Sequence, residues 1–161
     1  MINQNFHQEP KEFEEKVVQV NRVSKKTSGG NKIGFSVIVV VGDKKGRVGV
    51  GLGKAPDVAS SIRKASSFAK KHLLKIPIVN GSIPFEVRVK TGAARILLKP
   101  APPGSGVIAG GAVRSVVDAA GIHNISSKVL GTKNQASNVY GTLAALRKLT
   151  DRYNAMQTRN K

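Results

Sequence analysis

A chain of 161 residues suits one ordinary domain or two small ones sharing an interface, and 40% hydrophobic content with 4% aromatics and no tryptophan makes any core aliphatic. Lysine and arginine number 27 against 9 acids, and a net charge of +18 calls for a polyanionic partner: nucleic acid, an anionic membrane surface or an acidic protein. Without cysteine there is no disulfide and no thiolate metal site, and no apolar run approaches the about 18 residues of a spanning helix.

In chain order, residues 1–10 read as a disordered lead with no secretory pattern, so a soluble intracellular protein is expected. Glu12, Glu14 and Glu15 suit the first turn of a short helix. A strand at Val17–Val23 follows, then the lysine-bearing turn SKKTSGGNK and a second strand, Ile33–Val41, apolar on both faces as a central or doubly covered strand would be. The turn Gly42–Gly46 leads into a third strand, making an antiparallel meander.

That third strand, within GDKKGRVGVGLGKA, imitates a nucleotide loop. A phosphate-binding P-loop fails on spacing: Val48 stands where the first glycine belongs and Ala55 where the metal-binding hydroxyl belongs. Gly49, Gly51 and Gly53 instead recur at every second residue, which is strand geometry. Val48, Val50 and Leu52 are expected to face the helix core, leaving the glycine face bare so that another backbone can approach closely.

Pro56-Asp57 opens a helix predicted to run to Ile76, with Val58, Ile62, Ala65, Ala69, His72, Leu73 and Ile76 on its apolar face and Arg63, Lys64, Lys70, Lys71 and Lys75 on a basic stripe. His72 suits packing or capping. PIVNGS, residues 77–82, reads as a linker between domains at 11–76 and 83–150. Strands are predicted at Ile83–Lys90 and Ala94–Lys99, a flexible loop to Gly111, a helix over Ala112–Ala120 stopped by Gly121, a strand at Asn124–Leu130 and a helix over Asn134–Thr150 before a flexible tail, 151–161.

The chemistry offered is not catalytic. Glu86, Asp118 and Asp151 form no acid–base pair, and His7, His72 and His123 show no metal-ligand spacing. The loop Pro103–Gly111 feeds a helix N-terminus and could hold an anion, which keeps a phosphotransferase as the rival reading, but acidic metal ligands are missing. The coherent constellation is basic. Arg22, Ser24, Lys25, Lys26, Gly29, Gly30 and Lys32 form the first hairpin loop, Lys44, Lys45 and Arg47 the second, and Lys54, Arg63 and Lys64 surround the first helix start. With no aromatic platform, recognition by backbone and shape suits a structured RNA. No cofactor, metal or small-molecule substrate is expected.

The motifs VNRVSKK…GG at 20–30, VVGDKKGRVGVGLGKA at 40–55 and GSGVIAGGAVRSVVDAAGIHNISSKVLGT at 104–132 closely resemble the S-five family of bacterial small-subunit ribosomal proteins over about residues 11–150. The resemblance implies an α+β fold: a double-stranded-RNA-binding-like α-β-β-β-α domain, then an α/β domain with a left-handed βαβ crossover. It implies binding to small-subunit ribosomal RNA, a non-catalytic place joining head and body of the subunit in the cytoplasm, and a part in translational accuracy. It also implies that Gly104, Gly106 and Arg114 face the neighbouring protein S-four, that the C-terminal half meets S-eight, and that messenger RNA passes near.

Overall fold

The computed structural model describes residues 12–159. β1 (Glu14–Thr27), β2 (Gly30–Gly42) and β3 (Arg47–Ala55) form the expected antiparallel meander, followed by α1 (Val58–Lys71) and a two-residue strand, β4 (Leu74–Lys75), which returns to pair with β3. The second half runs β5 (Val87–Thr91), β6 (Ala94–Pro100), β7 (Val107–Ile108), α2 (Gly111–Ala120), β8 (Ile125–Leu130) and α3 (Gln135–Arg159). Its sheet has the order β5-β6-β8-β7, and β7 and β8 are parallel neighbours joined through α2. The architecture is α+β in the first half and α/β in the second.

Several expectations need correction. Glu14 and Glu15 lie in β1 rather than in a helix, because strand pairing to Val41 and Gly42 sets their carboxylates beside cations of neighbouring elements. The lead at 1–10 lies outside the described residues. The first helix stops at Lys71, with Asp57 capping its start by accepting from Ser60 N–H at 3.1 Å and His72 closing its end. The His72 ring bonds the Phe68 carbonyl oxygen at 2.9 Å and stacks on the Phe68 ring, so the capping expectation holds. β5 starts at Val87, later than expected, and α3 continues to Arg159, where Arg152 sits 4.6 Å over the Phe85 ring.

The largest correction concerns the glycine face. Gly49, Gly51 and Gly53 lie opposite Val41, Val39 and Val37 on β2, and these three valines pack under α1. The glycines therefore face the helix. A Cβ on any of them would collide with a backbone carbonyl of α1: Ala69 above Gly49, Ala65 above Gly51, Ser61 above Gly53. α1 meets the sheet with small buried residues, Ser61, Ala65, Ser66 and Ala69, so small meets small and the backbones approach closely. Val48 and Val50, with Ile38 and Val40, point the other way into one continuous core with Val113, Val116, Ile122 and Leu149. Each fully buried valine or isoleucine there contributes roughly 1.5–3 kcal/mol. Leu52 lies beyond that core and is 41% exposed.

The first sheet is thus covered on both faces, by α1 on one and by the second half on the other. The Gly42–Gly46 turn locks the seam. Lys44 N–H donates to the Ala119 carbonyl at 3.0 Å and Gly46 N–H to the Ala120 carbonyl at 2.9 Å, occupying carbonyls that the end of α2 would otherwise leave free. Gly121, at φ 84°, ends α2 in the left-handed conformation and lies flush against the Lys44 backbone.

Candidate nucleic-acid interface

Beyond the end of β3, β1 and β2 continue from Val23 and Gly34 as a two-stranded ribbon, and every residue from 20 to 33 is exposed. β-branched residues (Val20, Val23, Thr27, Ile33) suit extended backbone, and Gly30 at φ 131° makes the tight reversal that Thr27 closes by donating its hydroxyl to the Gly30 carbonyl at 2.8 Å. Gly29 has open space where a side chain would be.

Register sorts the ribbon's polar residues onto two faces. Lys25 lies directly opposite Lys32, and Lys54 opposite Ser36, so these three lysines share the face turned away from α1. Arg22, Ser24 and Lys26 lie on the α1 side, the same side as the exposed Arg63 and Lys64. A shallow groove of about 500 Å³ runs past Val23, Lys25, Lys32 and Lys54. Like charges directly opposite on a sheet repel, so the Lys25–Lys32 pair is stable only because water or an anion shields it. Among the described residues no carboxylate pairs with Arg22, Lys25, Lys26, Lys32, Lys54, Arg63 or Lys64.

The second predicted basic loop lies elsewhere. Lys44 pairs with Glu14, while Arg47 Nε donates to Asp43 at 2.6 Å, its Nη2 reaches Glu12 at 3.1 Å, and its guanidinium lies 5.1 Å from the Phe13 ring centroid. Asp43 is only 4% exposed at its side chain. Burial alone would raise its carboxyl, but hydrogen bonds from the Arg47 side chain and from the Arg47 and Lys45 N–H groups hold it below its ordinary value of 3.8. Glu14, with its hydrogen-bonded carboxylate, raises the Lys44 amine. Lys45 is exposed on the same turn. The ribbon and the start of α1 are therefore a cluster of unpaired cations, while Lys44 and Arg47 belong to a neutralised seam. Partners as distant in sequence as Glu12 and Arg47 left no signal of this in local spacing.

The three residues expected to face a neighbouring protein come together around β7. Gly104 and Gly106, at φ 90° and 70°, have open space around them, and both N–H groups donate to the Asn124 side-chain oxygen, at 3.0 and 3.2 Å. Arg114 donates to the Val107 carbonyl at 3.2 Å. Asn124, which sequence spacing did not single out, therefore shapes this loop. Among the described residues no cluster of metal-ligating side chains occurs, and no helix is long and apolar enough to cross a membrane.

An α+β body that carries an exposed ribbon of cations, unpaired among the described residues, defines a nucleic-acid-binding protein. Comparison with known proteins sharpens this. Residues 13–77 match the family model described as ribosomal protein S5, N-terminal domain, and residues 89–159 match ribosomal protein S5, C-terminal domain. The chain is similar to the small ribosomal subunit protein uS5 of Thermotoga neapolitana (49% identity over 140 residues, covering 87% of this chain and 79% of the relative). It is also similar to that of Chloroflexus aurantiacus (48% over 150 residues, 93% and 84%) and of Thermus thermophilus (44% over 138 residues, 86% and 85%). The chain belongs to the ribosomal protein S5 family. It is a structural, non-enzymatic protein that associates with ribosomal RNA and other ribosomal proteins.

Proposed function

We propose that this chain, as a small-subunit component of the cytoplasmic ribosome, holds the subunit's head relative to its body and contributes to translational accuracy. The observation that carries the reading is the unpaired cation set on the ribbon, Arg22, Lys25, Lys26 and Lys32, with Lys54, Arg63 and Lys64 at its base. Phosphates of structured RNA neutralise these groups, and Ser24, Gly29 and Gly30 allow backbone and hydroxyl contacts to ribose and phosphate. Lys45, exposed on the Gly42–Gly46 turn, adds to the RNA-facing cations, whereas Lys44 and Arg47 contribute chiefly by holding that turn, through Glu14, Asp43 and Glu12, at the seam between domains at 11–76 and 83–150, joined by 77–82. Gly104, Gly106 and Arg114 meet S-four, the C-terminal half also meets S-eight, and messenger RNA passes near at the entry channel.

The test is the salt dependence of binding to purified small-subunit ribosomal RNA. Lys25→Ala with Lys26→Ala is expected to reduce the log–log slope by up to about two phosphate equivalents. An unchanged slope overturns the placement of the RNA contact on the ribbon.

A further inference from the structure

The turn between the two halves carries a chemistry that RNA binding does not use. Val79 N–H donates to the Ser82 carbonyl at 2.9 Å and Ser82 N–H to the Val79 carbonyl at 2.9 Å, which leaves Asn80 and Gly81 as a two-residue loop. Their φ angles, 51° and 73°, are both positive, as a type I′ turn requires. Asn80 is exposed, and it is the chain's one asparagine followed by glycine. Gly81 sits against the second half: its carbonyl accepts from the His123 N–H at 2.9 Å and from the Asn124 N–H at 3.0 Å. The Asn124 side-chain oxygen in turn accepts from the Gly104 and Gly106 N–H groups. The turn is therefore two hydrogen-bonded steps from the 104–106 loop.

We propose that Asn80 is a self-modifying site, converted by water alone to aspartate and isoaspartate, and that the conversion loosens the loop at Gly104 and Gly106. The backbone nitrogen of Gly81 attacks Cγ of Asn80. An N–Cγ bond forms, the Cγ–Nδ2 bond breaks, and ammonia leaves with the proton from the Gly81 N–H. Water then opens the five-membered imide. Addition at Cγ gives aspartate with the ordinary backbone. Addition at the Asn80 main-chain carbonyl gives isoaspartate, whose backbone runs through the side chain and is longer by one methylene.

The turn is built to allow this. Glycine has no side chain to shield the attacking nitrogen. Among the described residues no hydrogen bond holds the Asn80 carbonyl or the Gly81 N–H, so the peptide between them can rotate while the Val79–Ser82 pair stays closed. That rotation carries a type I′ turn into type II′, which keeps φ positive at Asn80 and makes it negative at Gly81, a change of sign that glycine tolerates. In type II′ the first central residue has ψ of about −120°, which swings the Gly81 nitrogen over the Asn80 side chain, as the imide ring requires. Once the turn is lengthened and charged, the Gly81 carbonyl no longer meets the His123 and Asn124 N–H groups together. Asn124 then loses the anchor that aims its side chain at Gly104 and Gly106.

The experiment incubates the full-length protein in mildly alkaline buffer and follows its tryptic peptide 76–88 by mass spectrometry. A synthetic peptide of the same sequence serves as the clock. The expected result is the amide-to-acid mass gain in peptide 76–88 at two elution positions, one of which accepts a methyl group from a protein isoaspartate methyltransferase. Asn80→Gln, whose longer side chain would have to close a larger ring, is expected to show no gain. If the synthetic peptide has converted and the folded protein has not, the turn protects Asn80 and the proposal is overturned. Hydrogen exchange then compares the unmodified and modified proteins after separation by charge. Faster exchange of the Gly104 and Gly106 amides is expected in the modified form, and unchanged exchange overturns the coupling to the loop. Neither readout involves RNA, so failure here leaves the RNA-binding reading standing.

Discussion

Gly51 and Ala65 meet backbone to backbone. A Cβ on Gly51 would fall on the Ala65 carbonyl oxygen, far inside any separation that real Cβ atoms show, and Gly49 and Gly53 stand in the same relation to Ala69 and Ser61. Strand and helix are held at a spacing that only hydrogen atoms at these three positions permit.

Gly51→Ala therefore forces the helix off the sheet or distorts the strand, and it is expected to destabilise the protein by about 2–4 kcal/mol. For a chain of this size that is a fall in melting temperature of roughly 5–15 °C. Gly29→Ala, at a position with open space, is the control and leaves the melting temperature within about 2 °C. Thermal unfolding followed by circular dichroism measures both, and equal melting temperatures would contradict the close approach.

Gly121 combines two constraints, a left-handed φ of 84° and a Cβ position that would overlap the Lys44 backbone. Gly104 has the same sign of φ, 90°, with nothing nearby. Gly104→Ala is expected to cost about 1 kcal/mol from backbone strain alone, and Gly121→Ala about 3 kcal/mol or more, because it also pries the Gly42–Gly46 turn from α2. Urea denaturation separates them. Midpoints displaced equally would mean that the seam contributes nothing.

Asp43 sets a pH dependence. Its folded pKa lies below the unfolded value, so its contribution is fully present above about pH 4 and is lost as pH falls through the folded value. Asp43→Asn is therefore expected to melt lower than the parent at pH 7, and the gap should close as the solution is acidified below about pH 4. Melting temperatures recorded from neutral pH down to acid test this, and a gap that persists at the acid end would place the effect elsewhere.

Lys44 and Lys25 are both exposed lysines in hairpin turns or ribbons, yet one is paired with Glu14 and the other has no carboxylate partner among the described residues. Lys44→Ala is expected to leave the salt slope of RNA binding unchanged, whereas Lys25→Ala lowers it by about one unit. Equal slopes in the two variants would show that ion pairing inside the chain does not decide which cations meet RNA.

Much of this architecture was legible in the residues. A strand apolar on both faces, Ile33–Val41, signalled a central or doubly covered strand, and it is both, while Asp57 and Gly121 marked helix ends by their capping chemistry. β4 and β7 were not legible, since two residues carry no periodicity. The orientation of β3 was misread because a helix was expected to bury its large residues, whereas α1 buries serine and alanine and needs glycine opposite. The basic site was legible as a composition but not as a place. Which cations are neutralised depends on Glu14 and Glu15 in β1 and Glu12 just before it, which pair with Lys44, Lys70 and Arg47 through the folding of the sheet rather than through spacing.

The sheet sandwiched between α1 and the second half also has a consequence for synthesis. Ile38, Val40, Val48 and Val50 are made early, but their covering residues run from Val113 to Leu149. At about 5–20 residues per second, the interval between Val50 and Leu149 leaves this valine-rich surface uncovered for roughly 5–20 s on the growing chain. During that time the first sheet is a half-finished interface whose natural substitute is any other apolar surface in the cell. A nascent-chain chaperone fits that interval better than it fits any property of the finished protein.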